Sequence, residues 1–338
     1  MTPIDNSDIA LNLKNLAVGY VSKKKEIRII QGINLALHYG ELVCFMGPNG
    51  VGKSTLLRSI TGVQKPLAGD FFLEETNAKA LSTAQLAKKI SLVLTDKINA
   101  GNLTAEEVVA LGRYPYVGWN ISFDKKDLKA IKKAIELTGI KPFIHKKTFE
   151  LSDGQLQKVM IARALAQDTP IVILDEPTAH LDLNNRVGII NLLRDLAKNT
   201  GKAILMATHE LDLALQTADR LWLAGYHSPI VSGIPEDLVL NGAIDDVFEL
   251  KGYDLRTGLL KKQSLGKKVM LKGEGHNYLW TKNALERNGY EISETSDYTI
   301  TIEIEGEKPY WQVEGPGVAF TNTLEELILH LNQINFQV

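Results

Sequence analysis

Apolar residues recur along this chain at two spacings, and the change from one to the other marks its organisation. "LNLKNLAVGY" and "INLALHYGELVCFM" alternate or run apolar over strand lengths, separated by the charged turn "SKKKE". The second run ends at Gly47, after which "KSTLLRSITG" reads as a helix closed by Gly62. Short strands are expected at "GDFFLE" and "ISLVL". From Thr104 to Ala166 the spacing becomes mostly helical, through "TAEEVVALG", "DKKDLKAIKKAIELTG" and "LSDGQLQKVMIARAL". Strand and helix then alternate: "IVIL", "NRVGIINLLRDLAKN", "AILMAT", "ELDLALQTA", "RLWLA". Buried β-branched runs alternating with amphipathic helices predict an α/β fold whose largely parallel sheet is covered on both faces.

The pattern changes near residue 251. "LKKQSLGKKVMLKGEG" is basic and glycine-containing, and reads as a solvated linker over 251–268. Beyond it "WTKNALERNGYEI" reads as a helix capped by Gly289 that leads into a strand. "YTITIEIEG" alternates as a half-buried strand, "KPYWQVEG" offers its hairpin partner, and "TLEELILHL" is a short amphipathic helix. The expected division is a domain over 8–250, with a helical part at about 104–168, and a small α+β domain over 269–338. Nothing in the tail identifies its role; dimerisation, ligand sensing and bracing of the larger domain all stand open.

Composition narrows the functional classes. The chain has 338 residues, 44% hydrophobic and 23% charged, enough apolar content for a sizeable core. A net charge of -2 and a pI of about 6.4 give no basic field for nucleic acid. "MTPIDNSDIA" has neither the basic start nor the apolar run of a secretory signal, and no stretch nears eighteen consecutive apolar residues. The lone Cys44, inside "ELVCFMG", is expected in the core, and a chain with one cysteine fits a reducing cytoplasm.

Three motifs carry the candidate chemistry. "GPNGVGKST", Gly47 to Thr55, matches G-x-x-x-x-G-K-[ST] between an expected strand and an expected helix. Its glycines let backbone amides wrap phosphates, Lys53 reaches the β- and γ-phosphates, and the Ser54 hydroxyl suits Mg²⁺. "IVILDEPT" buries a strand and presents Asp175 for Mg²⁺ and Glu176 to orient or deprotonate an attacking water. Adjacent carboxylates at a strand end also serve as helix caps; the phosphate loop favours the catalytic reading. "LSDGQ", at Leu151 to Gln155, opens a helix whose first amides and dipole make a second anion site.

"GPNGVGKST", "LSDGQ", "ILDEPT", "AHLD" and "MATHE", in this order and spacing, resemble an ATP-binding cassette ATPase over roughly residues 10 to 250. The resemblance implies a P-loop cassette: a mixed sheet core with an antiparallel β subdomain and a helical subdomain, binding ATP with Mg²⁺. It implies phosphate and nucleotide contacts from Asn49, Gly50, Gly52, Lys53, Ser54 and Thr55, and an adenine-stacking aromatic at Tyr20. It makes His209 the switch histidine at the γ-phosphate and Asp182 part of a loop that communicates across a dimer. Two cassettes of this family pack head to tail, so Ser152, Gly154 and Gln155 would serve the partner's ATP. Two positions depart from the family's pattern. Thr95 stands where a glutamine usually touches Mg²⁺, so the metal set becomes Ser54, Asp175 and Thr95. Asp153 replaces a usual glycine; at a helix start it suits the dipole and should point away from phosphate.

"LTAEEVVALGRYPYVGW" resembles the segment of cassettes that drive import of iron chelates, haem or cobalamin, with Arg113, Tyr114 and Pro115 carrying the likeness. That implies a homodimer working on separate permease chains at the cytoplasmic face of the inner membrane, served by a substrate-binding protein. A regulatory ATP-binding module with weak hydrolysis is the rival reading, motivated by Thr95. Intact Glu176 and His209 argue for turnover.

Overall fold

The computed structural model describes residues 8–22, 25–94, 101–117, 122–226, 228–249, 253–254, 259–260, 266–306 and 308–334. The chain forms two compact units, Met1–Glu249 and Leu250–Val338.

The larger unit is built on a six-stranded sheet in the order Val231–Gly233, Arg220–Leu223, Leu42–Met46, Ala203–Ala207, Ile171–Asp175, Ile90–Val93. Neighbours are parallel except the first pair, so the sheet is mixed, with one antiparallel edge. Every residue of Leu42–Met46, Ile171–Asp175 and Ala203–Ala207 is buried, which is why these strands read as continuous apolar runs rather than alternating ones. Cys44 lies fully buried in the first of them. Phe45 and Trp222 meet edge to face, ring centroids 6.3 Å apart, in the core between this sheet and a second one.

That second sheet is antiparallel and four-stranded: Lys25–His38, Ile9–Ser22, Ala68–Leu73, Thr76–Asn77. The helical part contributes Ala105–Ala110, Lys125–Thr138 and the signature helix Asp153–Ala166. Asp124 caps the second of these, its Oδ1 accepting from the amides of Lys126 and Asp127. Among the described residues no helix is long and apolar enough to cross a membrane.

The smaller unit is a five-stranded sheet ordered Tyr290–Ile292, Lys267–Lys272, Thr299–Glu305, Lys308–Glu314, Val318–Thr321. Helices Gly275–Arg287 and Leu324–Gln333 supply Leu285, Leu327 and Leu331 to a core with Val269, Ile300 and Val313. Trp311 is buried there with its Nε1 donating to Thr281 Oγ1 at 2.7 Å, which satisfies the indole N–H. The basic stretch expected to be linker differs from its reading: "KKVMLK" is an interior strand, with Val269 and Leu271 buried between solvated lysines. Lysines at both ends of the segment, Lys267, Lys268 and Lys272, masked a half-buried strand. An open groove of about 680 Å³ runs beside Trp280, Ala284, Arg287, Leu324, Ile328 and Leu329.

Candidate functional site

The phosphate loop leaves strand Leu42–Met46 and enters helix Lys53–Ile60. Its tight path needs glycine. Gly47 has φ 153° and Gly52 φ 115°; a Cβ would lie 2.2 Å from the Ala224 carbonyl at the first and 2.6 Å from Ile29 Cγ2 at the second. The Lys53 ammonium is wrapped by this loop, Nζ donating to the Gly47 carbonyl at 2.8 Å and the Pro48 carbonyl at 3.2 Å. Burial lowers its pKa, and the negative charges of Glu176 and Asp175 oppose that.

Ser54 Oγ donates to Asp175 Oδ1 at 3.2 Å. Asp175 ends strand Ile171–Asp175 and is buried; burial raises its pKa, while the Ser54 hydrogen bond pulls it down. A hydroxyl and a carboxylate converging beside a loop of amides form an oxygen donor set suited to Mg²⁺. The Tyr20 and Thr55 hydroxyls are 2.8 Å apart, which holds the phenol against the loop helix with its ring half-exposed. Tyr20, Asn49, Gly50, Lys53, Ser54 and Glu176 line a common cavity of about 280 Å³, with Gly52, Thr55 and Ile29 completing it.

Glu176 follows Asp175 with φ 47°, a strained backbone for a non-glycine residue. Its N–H donates to the Ala207 carbonyl at 3.0 Å, which joins it to the strand leading to His209. His209 Nδ1 lies 3.6 Å from Glu176 Oε2, so these two expected residues are brought together.

The signature residues sit elsewhere. Ser152 Oγ accepts from the Gln155 amide at 3.3 Å while Gln155 Oε1 accepts from the Ser152 amide at 3.1 Å, a capping box that opens helix Asp153–Ala166. Asp153 is exposed in the first turn. Ser152, Gly154 and Gln155 do not line the phosphate-loop cavity. Gly154 is buried against helix Leu183–Thr200: a Cβ there would lie 2.4 Å from Asn185 Oδ1. Asp182 caps that helix, accepting from the Asn185 amide at 2.9 Å and the Asn185 side chain at 2.8 Å, and these bonds lower its pKa.

Thr95 lies outside the described residues. Arg113 is buried: Nε donates to Asp127 Oδ1 at 2.8 Å and Nη1 to the Ala166 carbonyl at 2.8 Å. It braces the C-terminal end of the signature helix, while Tyr114 is exposed. Sequence reasoning missed Ile29, Tyr226, Arg186 and Glu210. The Tyr226 hydroxyl donates to the Asn49 carbonyl of the phosphate loop. Arg186 Nη1 donates to both carboxylate oxygens of Glu210, at 2.9 and 3.0 Å. Glu210 carried a signal, its place beside His209; Arg186 is 24 residues away and carried none.

The ABC transporter family profile matches residues 30–179, and a profile described as the iron ABC transporter C-terminal domain matches 266–332. An AAA-domain profile also matches residues 147–215. The ABC transporter ATP-binding protein MJ0873 of Methanocaldococcus jannaschii is 39% identical over 294 residues, covering 83% of this chain and 98% of that protein. The petrobactin import ATP-binding protein FpuD of Bacillus anthracis is 35% identical over 242 residues, covering 72% of this chain and 87% of that protein. Among solved structures, the dimeric ATP-binding cassette MJ0796 bound to ADP and Pi superposes with a TM-score of 0.57 at 29% identity, over 67% of this chain and 98% of the other.

Proposed function

The chain belongs to the ABC transporter family of ATP-binding proteins and is an ATPase; on that premise we propose that it powers an importer of iron chelates. The observation carrying the ATP chemistry is the convergence of Lys53, Ser54 and Glu176 on one cavity, with Asp175 accepting from Ser54 at 3.2 Å and His209 3.6 Å from Glu176. Loop amides and the Lys53 ammonium hold the β- and γ-phosphates, and the Tyr20 ring stacks on adenine. Ser54 and Asp175 would hold Mg²⁺, which when bound would offset phosphate charge. Glu176 orients the attacking water and takes its proton as a bond forms from water oxygen to γ-phosphorus and the bond to the β,γ-bridging oxygen breaks. His209 contacts the γ-phosphate.

Ser152, Gly154 and Gln155 serve the nucleotide of a second copy, with Asp182 at the junction. A dimeric cassette among the structural relatives supports this arrangement. The dimer works peripherally on permease chains at the cytoplasmic membrane face, and a binding protein delivers cargo. The iron-chelate reading rests on the profile match over 266–332 and on a petrobactin-import relative; haem and cobalamin are the neighbouring cargo classes.

One experiment addresses both halves. Purified Glu176→Gln should bind ATP normally yet hydrolyse it at least about a hundredfold more slowly, the range for losing a general base. In cells lacking this chain, the wild type but not Glu176→Gln should restore uptake of a radiolabelled ferric chelate. Normal hydrolysis by the variant removes Glu176 from its role, and unimpaired uptake without the chain ends the iron reading.

A further inference from the structure

Two turns flank the catalytic carboxylate, and a single side chain joins them. One is "AHLD", before helix Leu183–Thr200; the other is "THE", after strand Ala203–Ala207, and carries His209. Arg186, in the first turn of that helix, reaches both. Its Nε donates to the Leu181 carbonyl at 2.8 Å, and its Nη1 to the two Glu210 oxygens at 2.9 and 3.0 Å.

This differs from an ordinary surface ion pair, which contributes little. The Glu210 side chain is only 13% exposed, so without Arg186 a mostly buried carboxylate would lose its counter-ion. Its backbone is equally engaged, the Glu210 amide donating to Thr208 Oγ1 at 3.1 Å. His209 lies between Thr208 and Glu210, with Nε2 4.0 Å from Glu210 Oε1 and Nδ1 3.6 Å from Glu176. The turn that aims the imidazole is thus fixed by its following residue. The helix that fixes it also presents Asn185 to Gly154 of the signature helix.

We propose that Arg186 is a positioning residue for hydrolysis: through Glu210 it fixes the turn that aims His209, and through the Leu181 carbonyl it ties that aim to the Asp182 segment. The proposal rests on the ATPase reading of the site. Arg186 touches neither the phosphate loop nor its cavity, so its loss should spare ATP binding. Misplacing a reacting group by about 1 Å can cost on the order of a hundredfold in rate. The penalty should therefore fall on kcat.

The test uses the full chain with Arg186→Ala, Arg186→Lys, Glu210→Gln and the Arg186→Ala/Glu210→Gln pair, measuring kcat, ATP dissociation constant and melting temperature. Arg186→Ala should lower kcat by about ten- to a hundredfold and leave ATP affinity within about twofold. Arg186→Lys should recover part of the loss, because it keeps the charge but not the carbonyl contact. Adding Glu210→Gln to Arg186→Ala should cost less than it does alone, because the two residues act as one unit. A kcat within about twofold of wild type in Arg186→Ala overturns the proposal. So does weakening of ATP affinity and melting temperature in step with kcat, which marks general loosening. Glu176→Gln run alongside separates the two readings: if it stays active, the ATPase assignment fails; if it is inactive while Arg186→Ala is normal, only the positioning role fails.

Discussion

The phosphate loop and the helix opened by Ser152 are the two proposed phosphate sites, and they treat their own polar groups differently. The loop gathers Tyr20, Lys53 and Glu176 from distant parts of the chain around one cavity, with Asp175 held behind it by the Ser54 hydroxyl. At the start of the other helix Ser152 and Gln155 bond each other, and the buried Gly154 is pressed against a neighbouring helix. One site is chemically assembled within the chain. The other is a stable helix end with Ser152 left at the surface, which is the form a half-site for a second copy should take.

The sharpest way to break that contrast is to damage each region in a different copy. Lys53→Ala and Ser152→Arg chains should each be nearly inactive alone. Mixed randomly, half the dimers are heterodimers with one intact composite site, so about a quarter of wild-type turnover should return. If both motifs served the same chain's nucleotide, every site in a mixed dimer would carry a lesion. No recovered turnover and no trapped nucleotide, in dimers shown to be mixed, would then refute the shared site.

A smaller effect separates the signature helix's chemistry from its support. Arg113 and Asp127 pair with side chains 7% and 8% exposed, and Arg113 also holds the Ala166 carbonyl. Burial resists ionisation of Asp127, but hydrogen bonds from the Asp124 amide and Arg113 outweigh it and hold the carboxyl below its usual range. Arg113→Ala should cost about 3–5 kcal/mol in a urea melt, the range for orphaning a buried charge. Loss below about 1 kcal/mol would mean the brace is dispensable.

The mildest test is Ser152→Ala. If the hydroxyl only caps the helix, stability should fall by about 1 kcal/mol with a similarly modest change in turnover. If it also serves a partner's phosphate, turnover should fall well beyond that stability change. Equal small losses would reduce Ser152 to a cap.

Much of this was legible in order and spacing. Lys53, Ser54, Asp175 and Glu176 stand out as candidates because phosphate chemistry demands particular residue types beside particular strands, whereas His209 stands out only through the family resemblance. The smaller domain was less legible. Lys267–Lys272 was misread because lysines flank its short apolar middle, and two buried positions in six residues look like basic linker. Arg113 carried the likeness to import cassettes, but nothing in the local pattern marked its buried partners 14 and 53 residues away, through which it braces a helix.

By itself the sequence determined most local elements of the larger unit and the phosphate-loop motif, because glycine spacing, helix caps and apolar runs act over a few residues. Only the tertiary structure decided that Ser54 meets Asp175 across 121 residues, that Tyr20 rests on Thr55, and that Arg186 grips Glu210 beside His209. Such contacts depend on how strands and helices stack, and no short-range pattern encodes which polar side chain across the stack will find its partner.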